Sequence, residues 1–357
     1  MTETSASVVP GVERALALDA MGGDYAPAEI VRGGVAFARE TGRRVLLVGR
    51  REAIEPELSA AKAGDAPVEI VEASEVIGFE DHIAAVRSKR DSSLHVGARL
   101  VRDGKAAGFV SAGHTGAMMA ICKTVLGVIR GVDRPALPAP LPRLDGGRVI
   151  IVDAGANLAC KAEHLRQFAV MGSHYCRRVF GVPSPKVALL SVGEEDSKGN
   201  EVGREAAELL RASSLEFVGN IEGNSLLSGR ADVVVCDGFV GNVALKVAEG
   251  VAETVGGMLR SELTRRPWRL PLAAWLRSVM RPQWRRLDYA EVGGVPLLGL
   301  ARAAVVAHGR SSAKATANAL RVCEAVVAGG MIEQIAGEFA AAAAAAGVGA
   351  PATGVAR

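Results

Sequence analysis

The stretch FVSAGHTGAMMA, residues 109–120, contains the pattern that decides the fold. Phe109 and Val110 are typical of a strand, glycine, serine and threonine follow them, and the run 117–120 favours a helix. Such a turn directs backbone N–H groups and a helix N-terminus toward one point, which favours an anion. It is neither a Walker loop nor G-x-G-x-x-G, and taken alone it is as compatible with packing as with ligand binding.

Strand-like and helical runs alternate on both sides of this stretch. Predicted strands cover residues 14–20, 43–49, 68–72, 107–111, 149–153, 186–192, 215–221 and 231–236. Predicted helices cover residues 28–40, 92–102, 115–126, 164–180, 201–211, 242–263 and 311–327. Several of the strands are continuously apolar, as expected for parallel strands covered on both faces. We therefore predict an α/β protein with a mostly parallel, doubly wound sheet and no clean linker between two domains.

The composition narrows the class of protein. Hydrophobic residues make up 49% of the 357 residues and aromatic residues only 4%, which suits an α/β core of Val, Ala and Leu. The five cysteines form no CxxC pair and the six histidines show no metal-ligand spacing, so we expect neither a disulfide framework nor a metal site. The chain shows neither a signal peptide nor a run of 18 apolar residues, so we expect a soluble, cytoplasmic protein.

Five polar, glycine-rich turns follow predicted strands, at residues 18–27, 110–117, 152–157, 189–201 and 233–246. Ligands of open α/β sheets bind beyond the carboxyl ends of the strands, so we expect these turns to share a site. The predicted substrate-binding residues are Asp19, Gly22, Gly23, Asp24, Ser111, Gly113, His114, Thr115, Gly116, Asp153, Asn157, Glu194 and Asp237.

Each of these residues also has a purely structural interpretation. Asp19 and Asp24 could bond turn amides, Glu194 could lie at a solvated helix N-terminus, and Asn242 could cap a helix. Lys198 is a cation close to a predicted helix N-terminus, an arrangement that is favourable when an anion lies between them. The sequence contains neither GxSxG nor HExxH, and Cys236 ends a buried strand, so we expect group transfer without a covalent enzyme intermediate.

Taken together, these motifs resemble those of the bacterial phosphate acyltransferases, the fatty acyl-ACP:phosphate acyltransferases of phospholipid synthesis. The matching pieces are ALDAMGGD (17–24), AVRSKRDSSL (85–94), VSAGHTGAMMA (110–120), VDAGAN (152–157), GEEDSKGNE (193–201), GNIEG (219–223), ADVVVCDGFVGNVALK (231–246) and GGVPLLG (293–299). They occur in the family's order over roughly residues 14–325. The chain departs from the usual pattern at His114 (commonly Asn), Ala159 (Asp), Val240 (Thr) and Val292 (Tyr), which puts an essential acid at residue 159 in doubt.

The resemblance implies a homodimer of Rossmann-like, three-layer α/β/α subunits, related in fold to isocitrate and isopropylmalate dehydrogenases. It also implies transfer of a long acyl chain from acyl carrier protein (ACP) to inorganic phosphate, feeding a membrane glycerol-3-phosphate acyltransferase, without metal or organic cofactor. Phosphate can attack a thioester directly if the protein holds it beside the carbonyl and stabilises the oxyanion. We assign the two catalytic roles to Lys198, as compensating charge, and to Asn242, as oxyanion donor.

Two alternatives remain at this stage. A phosphotransacetylase would perform the same chemistry on acyl-CoA, and these residues do not distinguish the two donors. A non-catalytic, phosphate-ligand-binding peripheral membrane protein would have no need for Lys198 and Asn242 together. A metal- and NAD-dependent decarboxylating dehydrogenase is disfavoured, because the sequence shows no clear carboxylate cluster for the metal and no clear adenine pocket.

Residues 257–289 differ chemically from the remainder of the chain. Eight arginines against one acid lie between Arg260 and Arg286, and all three tryptophans fall in the same window. We expect a projecting amphipathic helical element that touches an anionic membrane surface or ACP through Arg265, Arg266, Trp268, Arg269, Trp275 and Arg277. A dimer-packing hairpin is the alternative, and nucleic acid is disfavoured because no binding motif accompanies the charge. The element interrupts a single domain at 14–335, between a flexible tail at 1–13 and an Ala-rich tail at 336–357.

Overall fold

The computed structural model describes residues 15–81, 84–265, 271, 275–276, 278–279 and 289–345. The predicted N-terminal tail and most of the basic element therefore lie outside the described residues, as does the end of the predicted C-terminal tail.

Eleven strands in the described residues form two sheets. The first contains β1 (Ala15–Asp19), β2 (Val45–Gly49), β3 (Val68–Glu72), β4 (Ala106–Ser111), β10 (Gly294–Pro296) and β11 (Ala303–Ala307), in the order β10-β11-β4-β1-β2-β3. The second contains β5 (Pro138–Pro142), β6 (Arg148–Val152), β7 (Lys186–Leu190), β8 (Glu216–Ile221) and β9 (Val233–Val235), in the order β5-β6-β9-β7-β8. Only the edge strands β5 and β10 are antiparallel to their neighbours in these sheets.

Helices lie between most consecutive strands, and two more follow the last strand. They are α1 (Ala28–Thr41), α2 (Arg51–Ala60), α3 (Ala85–Ser88), α4 (Ser93–Arg102), α5 (Thr115–Leu126), α6 (Ala162–Phe180), α7 (Glu201–Arg211), α8 (Gly238–Thr264), α9 (Tyr289–Val292), α10 (Ala313–Ala328) and α11 (Met331–Ala345). None of the described helices is long and apolar enough to cross a membrane.

The strands divide between two sheets where the sequence pattern predicts one. The edge strand β5 reads PAPLP, and its alternate prolines lack the N–H donors that a further strand would need. The antiparallel strand β10 ends the other sheet, and isolated bridges from Ala136 to Leu298 and from Val128 to Leu300 connect the neighbouring segments. The proline-rich edge therefore explains why the ladder does not continue from one sheet into the other.

The core has the layers of an α/β/α protein. One continuous cluster covers a face of both sheets, with Leu16 and Val110 from the first sheet, Val152 and Val233 from the second, and Phe168 of α6. Two further clusters cover the opposite face of each sheet, and helices pack over all of them. The predicted Rossmann-like, three-layer and mostly parallel fold is therefore confirmed.

Two helices extend beyond their predicted limits. The 27-residue helix α8 begins at Gly238 rather than Asn242, and only Gly238 and Gly241 are buried along its length. Helix α11 crosses the predicted domain end at residue 335, and the Phe339 side chain is only 5% exposed. The predicted boundary at residue 335 therefore falls within a helix, of which residues 340–344 are exposed.

Candidate active site

The carboxyl ends of neighbouring parallel strands bring the polar turns of each sheet to one edge. In the first sheet, β1 and β4 are paired directly, so the turns at 19–24 and 111–116 are neighbours. In the second sheet, β6 and β9 are paired, so the turns at 153–157 and 237–242 are neighbours. The predicted site residues thus fall into two contacting groups, with the turn after β7 beside the second.

Asp19 and Ser111 join the two turns of the first sheet. The Ser111 hydroxyl donates to Asp19 Oδ2 at 2.6 Å, and Met21 N donates to Asp19 Oδ1 at 3.1 Å. A Cβ added at Gly22 would lie 2.5 Å from Asp19 Oδ2 and 2.7 Å from Gly113 N. Only glycine fits at position 22, because the backbone there packs directly against the Asp19 carboxylate and the backbone of Gly113.

Burial raises the pKa of Asp19, while hydrogen bonds from Ser111, Ser93 and backbone amides act in the opposite direction. The carboxyl group is 1% exposed. The carboxylate therefore holds the turn in place through hydrogen bonds in the protein interior, which is the structural interpretation given above for Asp19.

His114 caps α5, which begins at Thr115 and continues through Gly116. Its Nδ1 accepts a hydrogen bond of 3.2 Å from Ala117 N, and its ring stacks on Phe79 with the centroids 6.3 Å apart. The imidazole is half-buried beside the helix N-terminus, where backbone N–H groups remain to bind an anion.

Asp153 organises the second group of turns. Its Oδ1 accepts from Leu137 N at 3.0 Å and Ala156 N at 3.1 Å, while its Oδ2 accepts from Asn157 N at 2.6 Å and Asn157 Nδ2 at 2.9 Å. Asn157 Nδ2 also donates to Pro135 O at 2.8 Å. Burial raises the pKa of Asp153. Because all four bonds stay within the protein, this carboxylate fixes the backbone around it.

The start of α8 lies directly on this turn. The Asp237 carboxylate caps the helix by accepting from Val240 N at 2.8 Å, so Asn242 is not the helix cap. A Cβ at Gly241 would overlap the carbonyl oxygen of Asp153, so the helix approaches the turn at a distance that only glycine allows. Beside this contact, the Asn242 side chain lies against Gly155, whose φ of +132° also favours glycine.

Lys198 lies in the exposed turn between β7 and α7. The acids of this turn do not form the first turn of a helix, because α7 begins at Glu201 with Asn200 as its cap. Glu194 instead pairs with Arg230, and Asp196 pairs with Arg211. Lys198 N donates to Glu195 O at 3.0 Å, but among the described residues no hydrogen bond or ion pair joins the Lys198 ammonium to Asn242 or to a carboxylate.

Burial disfavours the thiolate form of the two cysteines near the site. Burial raises the pKa of Cys160 to about 11 and that of Cys236 still further, and neighbouring Asp153 and Asp237 add to both effects. Among the side chains that the structure describes, no three His, Cys, Asp or Glu groups are arranged to hold a metal ion.

The turn at residues 308–312 was not among the turns predicted to share the site. It follows β11, which pairs with β4, and Asp24 N donates to Gly309 O at 2.7 Å. The signal was present in the sequence, because HGRSS follows the apolar run AAVVA as the other polar turns follow theirs. Ser93, which interacts with Asp19, was also not singled out.

Two of the six residues predicted for membrane or ACP contact are described. Arg265 is exposed and lies 3.6 Å from Glu262, and the Trp275 side chain is 61% exposed. Arg266, Trp268, Arg269 and Arg277 lie outside the described residues.

Comparison with known proteins identifies the family to which the chain is similar. A model described as "Fatty acid synthesis protein" matches residues 14–334. The phosphate acyltransferase of Desulforamulus reducens is 49% identical over 321 residues, which is 90% of this chain and 96% of that protein. The phosphate acyltransferase of Myxococcus xanthus is 50% identical, over 88% of this chain and 91% of that protein.

The solved structures carry information about the fold. A phosphotransacetylase from Streptococcus pyogenes superposes with a TM-score of 0.61 at 18% identity, covering 88% of this chain and 94% of that one. The match is therefore one of architecture, consistent with the three layers described above. Because the family model and the relatives both span most of the chain, this protein belongs to the phosphate acyltransferase family of transferase enzymes.

Proposed function

We propose that the protein transfers a long-chain fatty acyl group from acyl-ACP to inorganic phosphate, reversibly forming acyl phosphate for phospholipid synthesis. The observation that carries the proposal is the 49% identity to a phosphate acyltransferase over 90% of the chain. The site chemistry supports it, because the thiols nearest the turns have raised pKa values and phosphate itself can serve as the nucleophile.

In the proposed reaction, a phosphate oxygen attacks the thioester carbonyl, a C–O bond forms, and the C–S bond breaks to release the ACP thiol. The N–H groups of Thr115 and Gly116, at the start of α5, hold the phosphate. Lys198 offsets its charge, and the Asn242 amide donates to the oxyanion that develops on the carbonyl. The exposure of Lys198 supports this role, since its ammonium is accessible to an anionic ligand.

The predicted substrate-binding residues divide into two roles in this proposal. Gly22, Gly23, Gly113, His114, Thr115 and Gly116 form the anion-binding turns, together with Asp24 and Ser111. Asp19, Asp153, Asn157 and Asp237 position those turns and α8, because their side-chain contacts lie within the protein. Glu194 acts through its pair with Arg230 to hold the turn that carries Lys198.

The proposed partners follow from the surface of α8 and the segment after it. The valines at 243, 247, 251 and 255 recur on one exposed face of α8, as expected for a helix covered in a homodimer. The exposed Trp275 and the arginines of residues 257–289 suit an anionic membrane surface, next to a membrane glycerol-3-phosphate acyltransferase, or the acidic surface of ACP. We thus propose a cytoplasmic enzyme that associates peripherally with membranes.

The test is release of free thiol from a long-chain acyl-ACP, with and without inorganic phosphate, and with hydroxylamine to trap acyl phosphate. Phosphate-dependent release with trapped product is the expected result. Release from acyl-CoA but not from acyl-ACP would replace the proposal with a phosphotransacetylase. No release from either donor would refute acyl transfer and leave a phosphate-binding protein.

A further inference from the structure

The basic motif RSKR, residues 87–90, lies beside the candidate site without belonging to any of its turns. Arg87 and Ser88 are the last two residues of the short helix α3, and Lys89 and Arg90 follow it directly. Helix α3 contacts α5, the helix whose N-terminus is the proposed phosphate site. A surface at this position is close to the place where the acyl donor must react.

Lys89 fastens the motif to the neighbourhood of α5. Its ammonium donates to Asp81 Oδ2 at 2.6 Å and to Val76 O at 2.8 Å. Phe79 lies between these two residues in the chain, and its ring stacks on His114, the cap of α5, with the centroids 6.3 Å apart. These contacts fix the position of the motif relative to the start of α5.

Arg87 and Arg90 carry the exposed charge of the motif. Arg90 Nε donates to Arg87 O at 3.0 Å, and Arg99 Nη1 donates to Arg90 O at 2.7 Å, so the backbone that carries both guanidinium groups is held in place. Arg99 lies 3.5 Å from Asp91. In the part of the chain that the structure describes, no carboxylate forms an ion pair with Arg87 or Arg90, so both charges face an incoming partner.

The chemistry of this surface suits an acidic protein better than a lipid bilayer. A membrane-surface helix combines cations with exposed apolar side chains. In α3, however, Val86 packs against the core, and the exposed side chains are those of Arg87 and Ser88. A fixed, polar and cationic surface attracts an acidic partner over long range and orients it on approach.

We propose that Arg87 and Arg90 form a docking surface for the acidic carrier protein of the acyl-ACP donor. The inference rests on the proposed function, because that function makes the acyl donor a protein. It places ACP at α3, where its thioester can reach the start of α5, and it leaves the basic segment 257–289 to the membrane surface.

The test is the double variant Arg87→Ala/Arg90→Ala. The matched control is Arg177→Ala/Arg178→Ala, because these two arginines are also exposed but end α6, which returns to the opposite edge of the second sheet before β7. At low ionic strength we expect KM for long-chain acyl-ACP to rise roughly three- to tenfold in the test variant, with little change in kcat or in KM for phosphate. Added salt should reduce the difference from the wild type, because it screens the attraction.

A donor without a carrier protein separates docking from chemistry. The long-chain acyl thioester of N-acetylcysteamine is uncharged, so we expect the wild type and both double variants to use it equally well. An unchanged KM for acyl-ACP in Arg87→Ala/Arg90→Ala would overturn the inference. An equal loss with both donors would also overturn it, because the arginines would then act on the reacting groups.

A binding measurement needs no turnover. Fluorescence anisotropy of labelled ACP without an acyl chain should show weaker binding to Arg87→Ala/Arg90→Ala than to the wild type or the control. No binding to the wild type, or equal binding to all three proteins, would overturn the inference, and weaker flotation on anionic vesicles with unchanged ACP binding would replace it with a membrane surface. Without phosphate-dependent thiol release in the wild type the proposed function fails, while the anisotropy experiment still tests the docking surface.

Discussion

Ser111 Oγ donates a hydrogen bond of 2.6 Å to Asp19 Oδ2, and it also accepts one of 3.0 Å from Gly113 N. One hydroxyl thus connects a fully buried carboxylate at the end of β1 with the glycine turn after β4. The protein's own contacts already order this turn, so a ligand would not have to. Ordering a site before the substrate arrives is what electrostatic catalysis requires.

Replacement of Ser111 tests this relationship. In Ser111→Ala, Asp19 loses a donor and Gly113 N loses its acceptor, so we expect unfolding free energy to fall by about 1–3 kcal/mol. The matched control is Ser228→Ala, since Ser228 is an exposed serine whose hydroxyl donates to Ser225 O and accepts from Arg230 N at the surface. Urea denaturation measures both, and equal losses would contradict a special role for Ser111.

Two glycines of α8 provide a matched pair. A Cβ at Gly241 would overlap Asp153 O, whereas Gly250 has nothing within 4 Å. We expect Gly241→Ala to lower unfolding free energy by roughly 1–3 kcal/mol or more and to reduce turnover, because the turn or the start of α8 must move. Gly250→Ala should be neutral or stabilising by up to about 1 kcal/mol through helix propensity. Equal behaviour in thermal unfolding would show that the close approach has no consequence.

The proposed catalytic residues predict loss of turnover without loss of folding. An oxyanion donor is typically worth about 100-fold to 1000-fold in kcat, so we expect a decrease of that order in Asn242→Ala. Lys198→Ala should also lose turnover, because the phosphate loses its compensating charge. Since both side chains lie at the surface of their elements, the melting temperature should stay close to that of the wild type.

Exposed residues of the same types serve as controls for these two variants. Asn224→Ala and Lys105→Ala remove an amide and an ammonium elsewhere on the surface. Both should retain wild-type rates of phosphate-dependent thiol release. Near-normal rates in Asn242→Ala and Lys198→Ala would refute the two assignments.

Membrane contact is tested by liposome flotation with and without anionic lipid. We expect binding only to anionic vesicles, and weaker binding when Arg265, Arg266 and Arg269 are replaced by alanine. A charge-matched control replaces Arg50, Arg51 and Arg102, which are exposed arginines on other elements. Binding that is independent of anionic lipid, or equally weakened in both triple variants, would contradict a specific membrane surface at 257–289.

The sequence predicts much of the sheet and part of the site. All eight predicted strands are present with shifts of one or two residues, because continuous apolar runs such as VLLVG have no other stable environment than a covered sheet. The contact between Asp19 and Ser111 also follows from polar turns at neighbouring strand ends. Hydrophobic periodicity and the residue types that favour turns are local properties of the chain, so a short stretch of sequence is enough to recognise them.

The remaining features depend on contacts between distant residues. Strand β5 was missed since PAPLP carries no strand signal, and only its pairing with β6 makes it one. The structural alternative for Asn242, a helix cap, does not apply because Asp237, five residues earlier, already caps α8. The roles of the acids after β7 depended on Arg211 and Arg230, whose positions no local pattern gives.

His164 makes stability depend on pH through the start of α6. Its Nδ1 accepts a hydrogen bond of 3.1 Å from Lys161 N, which it can do only while that nitrogen is unprotonated. Desolvation lowers the pKa of His164, with contributions in the same direction from Arg134 and Lys161 and opposing ones from Asp133 and Glu163. The native state therefore binds fewer protons than the unfolded state below about pH 6.5, the usual pKa of histidine.

The sign of the effect follows from this difference. The contribution of His164 is fully present above about pH 6.5 and is lost as the pH falls toward its lowered folded pKa. His164→Gln keeps an acceptor at the third helical position and cannot titrate. We expect the unfolding free energy of the wild type to fall relative to this variant between about pH 6.5 and pH 5, in urea titrations at each pH. Parallel profiles would show that His164 has the same pKa in both states. Because His95 and His308 also have lowered pKa values but are common to both proteins, their contributions cancel in the difference.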